Sequence, residues 1–349
     1  MKVSVIVTTY NQNHDNLIEH CLDSVIDERA EDVEYILVDD CSSDGSFEVL
    51  KQYEKKFPSC VRAIQNVKNG GEGGSRNFGI KNSSSDYICY IDGDDFVSEG
   101  FFYELKKTLD KAGDVDLVGP RYAKTTFEGE LLNYATSELM EDTPAISDDT
   151  KRKMLLHGER SVGRFYKRSI IEDNDLWFIE NVPFADTPST SYWTNLCNSY
   201  AHCEDAVYYY RKTPNSLSTS KLTTKKTDAH YETQKFFINN GKRLGLYEKY
   251  QNELDYRLFR RDFNYKLKEC VLSFNDSERD EYYTKVCKLF LENTTDLVNN
   301  PYIDKADKKK LNEFLENPVK FGKKQSRAIN FKFKFLGNLA KIKHFIIRK

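Results

Sequence analysis

The sequence lacks the features that would place the chain outside the cell or across a membrane. Its eight cysteines are scattered and include no Cys-x-x-Cys pair, and its first residues contain no apolar signal-peptide core. No apolar run approaches the ~20 residues that a membrane-spanning helix requires. These absences predict reduced thiols in a cytoplasmic protein that does not cross a bilayer. With 349 residues, of which 39% are hydrophobic and 13% aromatic, the chain can bury the cores of two domains.

Acidic residues are absent after Glu316, although ten lysines and arginines follow it. The remaining 42 basic and 55 acidic residues give residues 1–316 a net charge of −13, against −3 for the whole chain. Basic residues alternate with phenylalanine, leucine and isoleucine in 317–349, which is typical of a segment on an anionic membrane surface. A basic helix pair that packs on the acidic body or on another subunit is the alternative. We do not expect nucleic-acid binding, because no recognition motif accompanies the charge.

A short apolar run at 87–91 is followed by three carboxylates within four positions, at Asp92, Asp94 and Asp95. β-Branched and aromatic residues dominate the run, which predicts a buried strand. Carboxylate oxygens suit Mg²⁺ or Mn²⁺, and such ions usually keep positions open for substrate phosphates. The cluster therefore indicates a metal site for a nucleoside diphosphate. The alternative is a solvated turn that caps the next helix.

Two earlier apolar runs, at 3–9 and 34–38, also end in polar residues, and a helical pattern follows each of them. The alternation of strand and helix predicts a parallel sheet with right-handed crossovers. Ligands of such sheets bind outside the carboxyl ends of the strands. We therefore expect Thr8, Tyr10 and Asp39 to share one edge of the sheet with the aspartate cluster.

The later part of the chain changes to apolar residues at helical spacing. We predict a catalytic domain at 1–220, a helical region at 221–316 and the basic tail at 317–349. Within the helical region, Ser277-x-x-Asp280 resembles a capping box. The helical region could pack on its own domain or on a second copy of the chain, so a homo-oligomer is compatible with the pattern.

The first part of the chain resembles glycosyltransferase family 2, whose members have the GT-A fold. The resemblance rests on four motifs in the family's order, which are VSVIVTTYN at 3–11, YILVDDCSSDGS at 35–46, GSRNFG at 74–79 and YIDGDD at 90–95. It continues more loosely to residue 220. It implies a Rossmann-like domain with a mainly parallel central sheet, followed here by a mostly α-helical C-terminal region.

The resemblance also implies a reaction, which is the inverting transfer of a sugar from a UDP-sugar to an acceptor hydroxyl with Mn²⁺ or Mg²⁺. A bacterial surface glycan or a lipid-linked glycan is the expected acceptor. In the family pattern, the positions of Thr8, Tyr10 and Asp39 hold the nucleobase, where an aromatic ring can stack on uracil and a carboxylate can accept its N3–H. Asp92 is expected to bind the ribose or to reach the metal through water. Asp94 is expected to bind the metal, which assists the departure of UDP.

Basic residues are expected near the diphosphate. Arg76 follows a glycine-rich stretch at 70–74, which on its own is also compatible with a flexible loop. Its guanidinium can contact the diphosphate or brace the aspartates. We favour the bracing role. Asp95 is expected to cap the following helix or to hold Arg76. Arg211 and Lys212 begin the polar segment after the last strand, which in relatives can fold over the donor phosphates.

Inversion requires one base on the acceptor side, which takes the proton of the hydroxyl. The family places this base in a Glu-Asp pair before the acceptor-side helix, and the matching position here is Ala185-Asp186. Asp186 is therefore the expected base, although its usual acidic neighbour is missing. Helix capping by Asp186 is the alternative, and Glu180 is the second candidate for the base.

Other functions predict different patterns. A sugar-phosphate nucleotidyltransferase would need a glycine-rich phosphate loop with basic residues after the first strand, where this chain has Thr-Thr-Tyr-Asn. A phosphatase of the HAD type would carry its Asp-x-Asp after the first strand and not at residue 92. A catalytically inactive binding or scaffold protein of the same fold is the third alternative. The expected location is cytoplasmic, at the inner face of the cell membrane.

Overall fold

A computed structural model describes residues 1–213 and 221–329. These residues form two compact units. The first unit contains 1–213 together with Asn239–Gly245, and the second contains Lys221–Ile238 and residues 246–329. The first unit carries every site residue predicted above. The first unit thus ends, apart from Asn239–Gly245, next to residue 220.

The first unit is built on one sheet of nine strands, ordered β3-β2-β1-β4-β8-β6-β9-β5, with β7 paired to β6. The first four strands of this order are parallel, and the rest of the sheet is mixed, with β6 and β9 parallel and the other pairs antiparallel. The strands are β1 Val3–Thr9, β2 Val33–Asp39, β3 Val61–Gln65, β4 Tyr87–Asp92, β5 Phe96–Val97, β6 Leu117–Thr125, β7 Leu131–Ala135, β8 Phe165–Lys167 and β9 Tyr200–Arg211.

Helices cover the parallel part of the sheet, so its central strands read as continuous apolar runs. Every residue of β1 is buried, and all of β4 is buried except its last residue, Asp92. The helices of the first unit are α1 Leu17–Val25, α2 Ser46–Lys56, α3 Gly71–Lys81, α4 Phe101–Ala112, α5 Asp148–His157, α6 Arg168–Glu172 and α7 Asp186–Leu196.

The second unit is helical among its described residues. Its elements are α8 Thr224–Arg243, which ends in the first unit, α9 Leu246–Phe259, a π-helix at Arg260–Lys266, α10 Leu267–Ser273, α11 Asp276–Asn293, a 3₁₀-helix at Leu297–Asn299 and α12 Lys305–Glu316. The capping box of α11 differs from the predicted one. Asn275 is the N-cap and Glu278 completes the box, because the helix begins before Ser277 and not after it.

The first residues of the predicted tail belong to the packed helical unit. Residues 318–329 are helical, and Phe321 is buried. Nη1 of Arg279 donates a hydrogen bond to Oγ of Ser326 at 2.6 Å, and Lys324 pairs with Glu313. The prediction that a separate tail begins at 317 is therefore wrong for these residues. The remainder of that tail, 330–349, lies outside the described residues. Among the helices that are described, none combines the length and the apolar character that crossing a membrane requires.

Candidate active site

The carboxyl ends of the four parallel strands meet at one edge of the sheet. In this register Thr8 lies beside Asp92, and Thr9 lies beside Asp39. Gln65, at the end of β3, lies on the other side of Asp39. The predicted convergence of the polar strand ends is confirmed, and it follows from parallel pairing because all four strands point the same way.

Asp39 is fully buried, and only one of its two carboxylate oxygens accepts hydrogen bonds from the described residues. Its Oδ2 accepts hydrogen bonds from the backbone N–H of Ser42 and from Nε2 of Gln65, both at 2.9 Å. Its Oδ1 is also buried and has no hydrogen-bond partner in the described part of the chain. Because an unpaired buried acceptor costs roughly 1–3 kcal/mol, Oδ1 is suited to accept an N–H from a ligand. Thr8 is buried nearby, and Tyr10, just after β1, is 50% exposed.

Most of the glycine-rich stretch is helical and not a flexible loop, because α3 begins at Gly71, directly after its N-cap Gly70. The first turn of α3 packs against the segment that leads into α7. The carbonyl oxygen of Gly70 accepts a hydrogen bond from the N–H of Asn181 at 2.9 Å. A Cβ atom at Gly73 would overlap the carbonyl oxygen of Ile179, so only glycine permits this approach. The contact brings α3 next to the residues that precede Asp186.

Arg76, on α3, is buried between two carboxylates and two aromatic rings. Its Nη2 lies 2.5 Å from Oδ1 of Asp92, and its Nη1 lies 2.5 Å from Oε1 of Glu72. Its guanidinium carbon lies 4.3 Å from the ring centroid of Tyr90 and 5.3 Å from that of Phe178. Burial opposes its charge, but Glu72 and Asp92 raise the pKa of Arg76 well above its ordinary value. Arg76 therefore braces Asp92, and direct contact with a nucleotide stays a prediction.

Glu72 belongs to this group of charged residues, although no motif of the sequence indicates it. Burial raises the pKa of Glu72 to about 7, Arg76 opposes the rise, and the charges of Asp186 and Asp92 add to it. Glu72 and Arg76 are four residues apart, which is the spacing of an ion pair on one face of a helix. Interpreting 71–81 as a helix would have revealed the pair.

Asp94 lies in the turn after β4. Burial, and then the charge of Asp92, raise the pKa of Asp94 to about 6. Its Oδ2 accepts a hydrogen bond from the hydroxyl of Thr213 at 3.3 Å. Within 1–213 and 221–329, no cluster of three or more His, Cys, Asp or Glu side chains could hold a metal by itself. One carboxylate next to a diphosphate nevertheless fits Mg²⁺ or Mn²⁺, because these ions commonly combine one or two carboxylates with substrate phosphates and water.

Asp95 has a structural role that differs from the predicted ones. Helix α4 begins after Gly100, so Asp95 does not cap it, and Arg76 pairs with Asp92 instead. The carboxylate of Asp95 accepts hydrogen bonds from the hydroxyl of Tyr208 at 2.6 Å and from the backbone N–H of Arg211 at 2.8 Å. Burial and the neighbouring aspartates raise the pKa of Asp95 well above its ordinary value. Asp95 therefore ties the turn after β4 to the end of β9.

Arg211 is the last residue of β9 and does not lie in the following segment. Its guanidinium carbon lies 4.9 Å from the ring centroid of Phe96, and its Nη2 donates to Nδ1 of His20 at 2.5 Å. Burial, and then the positive charge of Arg211, lower the pKa of His20, which keeps that ring neutral and able to accept. Arg211 thus lies near Asp94, whose pKa it lowers slightly, but it is anchored in the fold. The segment 214–220, which was predicted to follow it over the phosphates, lies outside the described residues.

Asp186 is the first residue of α7, and the N-cap is Ala185, which makes no side-chain capping bond. The capping alternative for Asp186 is therefore wrong. Its Oδ1 accepts a hydrogen bond from the hydroxyl of Thr187 at 3.3 Å. Glu180, the second candidate for the base, is exposed and accepts a hydrogen bond from Nδ2 of Asn77 at 3.0 Å.

The chain is similar to known proteins in sequence and in fold. Residues 4–174 match the model of Glycosyl transferase family 2. The chain belongs to glycosyltransferase family 2. The match ends before α7, so the strand ends and α3 lie inside the family 2 domain, whereas Asp186 and Arg211 lie beyond the matched residues.

Two curated bacterial proteins and one solved structure illustrate the similarity. The chain is 31% identical to EpsJ of Bacillus subtilis, which is described as an uncharacterized glycosyltransferase. The alignment spans 223 residues and covers 62% of each protein. It is 40% identical over 120 residues to a poly(ribitol-phosphate) β-glucosyltransferase of Bacillus spizizenii, covering 34% of this chain and 19% of that enzyme. The crystal structure of residues 1–349 of Staphylococcus aureus TarS with UDP-GlcNAc aligns over 95% of this chain and 92% of that one. Its TM-score of 0.74 at 18% identity shows that the fold is shared.

Replacement of Asp94 tests the electrostatic description of the site. We expect Asp94→Asn to stabilise the metal-free protein at pH 7.5 by about 1–2 kcal/mol, since each pKa unit of a raised carboxyl costs about 1.4 kcal/mol and partial exposure reduces the effect. The folded-state pKa is raised, so the cost of ionising Asp94 is fully present above pH 6 and disappears as the pH falls. The stabilisation should therefore shrink between pH 7 and pH 4, as measured by urea denaturation.

The same variant reports on the metal. Mn²⁺ added together with UDP should raise the melting temperature of the wild-type protein and should have a much smaller effect on Asp94→Asn, because a ligand stabilises the state that binds it. Asp173→Asn, which removes an exposed carboxylate outside the site, is the matched control and should behave as the wild type. An equal Mn²⁺ effect in all three proteins would remove Asp94 from the metal site.

Proposed function

We propose that the protein is an inverting glycosyltransferase that moves a sugar from a UDP-sugar to a hydroxyl group of a bacterial surface glycan. The observation that carries the proposal is the unpartnered Oδ1 of the buried Asp39, at the sheet edge that also carries Asp92 and the turn with Asp94. Family membership favours the same reaction class, because the relatives are named as glycosyltransferases.

The nucleobase is bound at the ends of β1 and β2 in this proposal. Two donors, Ser42 N–H and Gln65 Nε2, fix the orientation of the Asp39 carboxylate by holding its Oδ2. Oδ1 is then available for the N3–H of uracil, and Tyr10 offers its half-exposed ring for stacking. The TarS structure obtained with UDP-GlcNAc, which has the same fold, favours a UDP-sugar as the donor.

The diphosphate is bound at the turn after β4. Asp94 would hold the divalent cation, and Asp92, fixed by Arg76, would bind the ribose. When bound, the cation supplies Lewis-acid assistance, because it offsets the negative charge that develops on the departing UDP. The chain itself fixes the orientation of Asp92, since Arg76 donates to its Oδ1 from within the core.

Asp186 acts as the general base. The acceptor hydroxyl attacks the anomeric carbon from the side opposite to UDP, which inverts the configuration, and Asp186 takes the hydroxyl proton as the new bond forms. The side chain lies at the first position of α7 without a capping bond. Because the carboxylate of Asp186 does not cap the helix, it can accept the proton of the acceptor hydroxyl.

The acceptor is proposed to be a glycan of the bacterial cell surface, either as a polymer or linked to a lipid. Relatives whose names include poly(ribitol-phosphate) as the acceptor support this class. We also propose that the enzyme works at the inner face of the cell membrane and that the basic residues beyond 329 contact anionic lipid.

Asp39→Asn tests the nucleobase site. The amide oxygen should take the place of Oδ2, because Ser42 and Gln65 both donate to it, which directs the amide NH₂ to the position of Oδ1. We expect UDP to bind about 10–100-fold more weakly, as a hydrogen bond to a charged acceptor contributes about 1.5–3 kcal/mol. The preference for UDP over CDP should also fall, because N3 of cytosine accepts a hydrogen bond. Calorimetric titration with both nucleotides measures each effect.

The control for this experiment is Asp114→Asn, which changes an exposed carboxylate that pairs with Lys167. It should bind UDP and CDP as the wild type does. If Asp39→Asn retained both the affinity and the preference for uracil, the nucleobase would have to bind elsewhere.

Asp186→Asn tests the base. We expect the rate of sugar transfer, measured as UDP release, to fall at least about 100-fold. This is the lower end of the effect that a general base usually contributes. The affinity for UDP should be unchanged, since Asp186 is not part of the nucleotide site. Glu180→Gln is the matched comparison, because the amide oxygen can still accept from Asn77. Loss of activity in Glu180→Gln with activity retained in Asp186→Asn would transfer the role to Glu180.

The membrane proposal is tested with vesicles. The full chain should sediment with phosphatidylglycerol vesicles, and the 1–329 truncation, which keeps the packed helix 318–329, should not. Replacement of Lys332, Lys334, Lys341 and Lys343 by Gln in the full chain should weaken binding strongly, because each basic residue near anionic lipid contributes about 1 kcal/mol. Equal sedimentation of all three proteins, or equal binding to neutral phosphatidylcholine vesicles, would contradict the proposal.

A further inference from the structure

A row of aromatic side chains crosses the mixed part of the sheet. The strand register pairs Phe96 of β5 with Tyr209 of β9, Tyr209 with Ala123 of β6, and Ala123 with Tyr134 of β7. Side chains of directly paired residues project from the same face of a sheet. The four positions therefore lie in one line across four strands, and we call Phe96, Tyr209 and Tyr134 the aromatic row.

The aromatic row lies on the face of the sheet opposite the core. Tyr122 and Tyr208, which precede Ala123 and Tyr209 in the chain, belong to the buried core, and side chains alternate between the two faces along a strand. Tyr134 is 49% exposed, and the other two rings of the row are partly exposed. Apolar groups that stay accessible next to one another commonly mark a binding surface.

One end of the aromatic row lies at the turn that carries the proposed metal ligand. Phe96 directly follows Asp95, whose carboxylate accepts hydrogen bonds from the hydroxyl of Tyr208 and the backbone N–H of Arg211. The ring of Phe96 stacks on that of Tyr209, with ring centroids 4.8 Å apart and an angle of 14° between the planes. The row then continues across the sheet for three strand spacings in all, or about 14 Å. It is therefore continuous with the site and longer than one sugar ring.

Charged groups border the rings at both ends of the aromatic row. The guanidinium carbon of Arg211 lies 4.9 Å from the ring centroid of Phe96, and that of Arg121 lies 4.5 Å from the ring centroid of Tyr134. Nη1 of Arg121 also pairs with a carboxylate oxygen of Glu204 at 3.2 Å, and both of these side chains are partly exposed. Flat rings next to hydrogen-bonding groups suit a pyranose, which has an apolar C–H face and a rim of hydroxyls.

The width of this surface argues against a protein as the ligand. Arg121 precedes Ala123 by two positions and Arg211 follows Tyr209 by two, so a charged residue borders the row along β6 and along β9. Leu132 extends the apolar surface, but only along β7. A specific protein interface buries roughly 800 Å² on each partner, and charged residues are depleted from its centre. A single row of rings between arginines is narrower than such an interface.

We propose that the aromatic row binds the acceptor glycan, with pyranose rings stacked on Tyr134 and Tyr209. This inference rests on the proposed function. The sugar residue that carries the reacting hydroxyl lies at the turn after β4, and the residues beyond it in the glycan lie along the row. Contacts away from the reacting centre hold the acceptor in place, and the row takes no part in the bond-making step.

The test uses the full chain and two soluble probes, cellotetraose and chitotetraose, whose β-1,4-linked rings present flat C–H faces. Saturation-transfer NMR titrations measure the Kd of each probe, and we expect the wild type to bind at least one of them. Tyr134→Ala and Tyr209→Leu should each raise that Kd at least about fivefold, which is within the range that one aromatic contact contributes. Tyr134→Phe keeps the ring and should stay within about twofold of the wild type.

Two control variants separate stacking from a general loss of apolar surface. Tyr103→Ala removes an exposed tyrosine from α4, and Leu132→Ala removes an exposed aliphatic side chain from the strand that carries Tyr134. Both should bind the probes as the wild type does. The proposal is overturned if the wild type binds neither probe or if Tyr134→Ala binds as the wild type. It is also overturned if Leu132→Ala weakens binding as much as Tyr134→Ala does.

A second readout keeps the outcomes for the two proposals distinct. UDP release from UDP-GlcNAc or UDP-glucose, with Mn²⁺ and with water as the acceptor, does not require a glycan. Tyr134→Ala should therefore leave its rate and the Kd for UDP unchanged. If the wild type releases UDP but probe binding does not depend on the aromatic row, the proposed function stands and this inference fails. If the wild type releases no UDP from either donor, the proposed function fails and the row loses its acceptor role with it. Circular dichroism and melting curves establish that the compared variants are folded.

Discussion

The ion pairs of one buried arginine, Arg76, connect helix α3 to the end of β4. Arg76 is almost completely buried, and a guanidinium in that position is tolerated only when carboxylates pair with it. Asp92 reaches it from the sheet and Glu72 from the same helix, so one side chain joins the end of β4 to α3. Removing Arg76 would leave two partly buried carboxylates without compensation. The tyrosine and phenylalanine rings that enclose the guanidinium favour its charge further.

Negative charge at the end of β4 exceeds what Arg76 can neutralise. Burial and the charge of Asp92 raise the pKa values of both Asp94 and Asp95, and the charge of Asp94 adds to the rise at Asp95. Hydrogen bonds from Tyr208 and from the backbone of Arg211 satisfy Asp95, whereas Asp94 receives one long bond from Thr213. A nucleoside diphosphate would add still more negative charge to this turn. A divalent cation would offset this charge, which is the role proposed for the metal at Asp94.

The sequence was sufficient to predict the parallel strands and the edge that they share, because buried strands and amphipathic helices produce strong periodic patterns of apolar residues. The partners of individual charged side chains could not be predicted in the same way. Asp95 pairs with Tyr208 and Arg211, which are more than a hundred positions away, and no local pattern indicates that contact. Glu72 was missed for a different reason. Glycines have low helix propensity, so the stretch 70–74 was also compatible with a loop, and tertiary packing overrode that preference.

Close packing explains why this helix is rich in glycine. Gly79 lies against Ile6 of β1, where a side chain would overlap the strand, and Gly73 lies against the segment before α7. Each glycine weakens the isolated helix by about 1 kcal/mol relative to alanine, so the contacts that it permits must compensate. Those contacts set the distance between α3 and two other elements. Since Glu72 and Arg76 are carried by the same helix, the positions of Gly73 and Gly79 determine whether their ion pair can reach Asp92. The geometry of the site thus depends on residues that contribute no chemistry of their own.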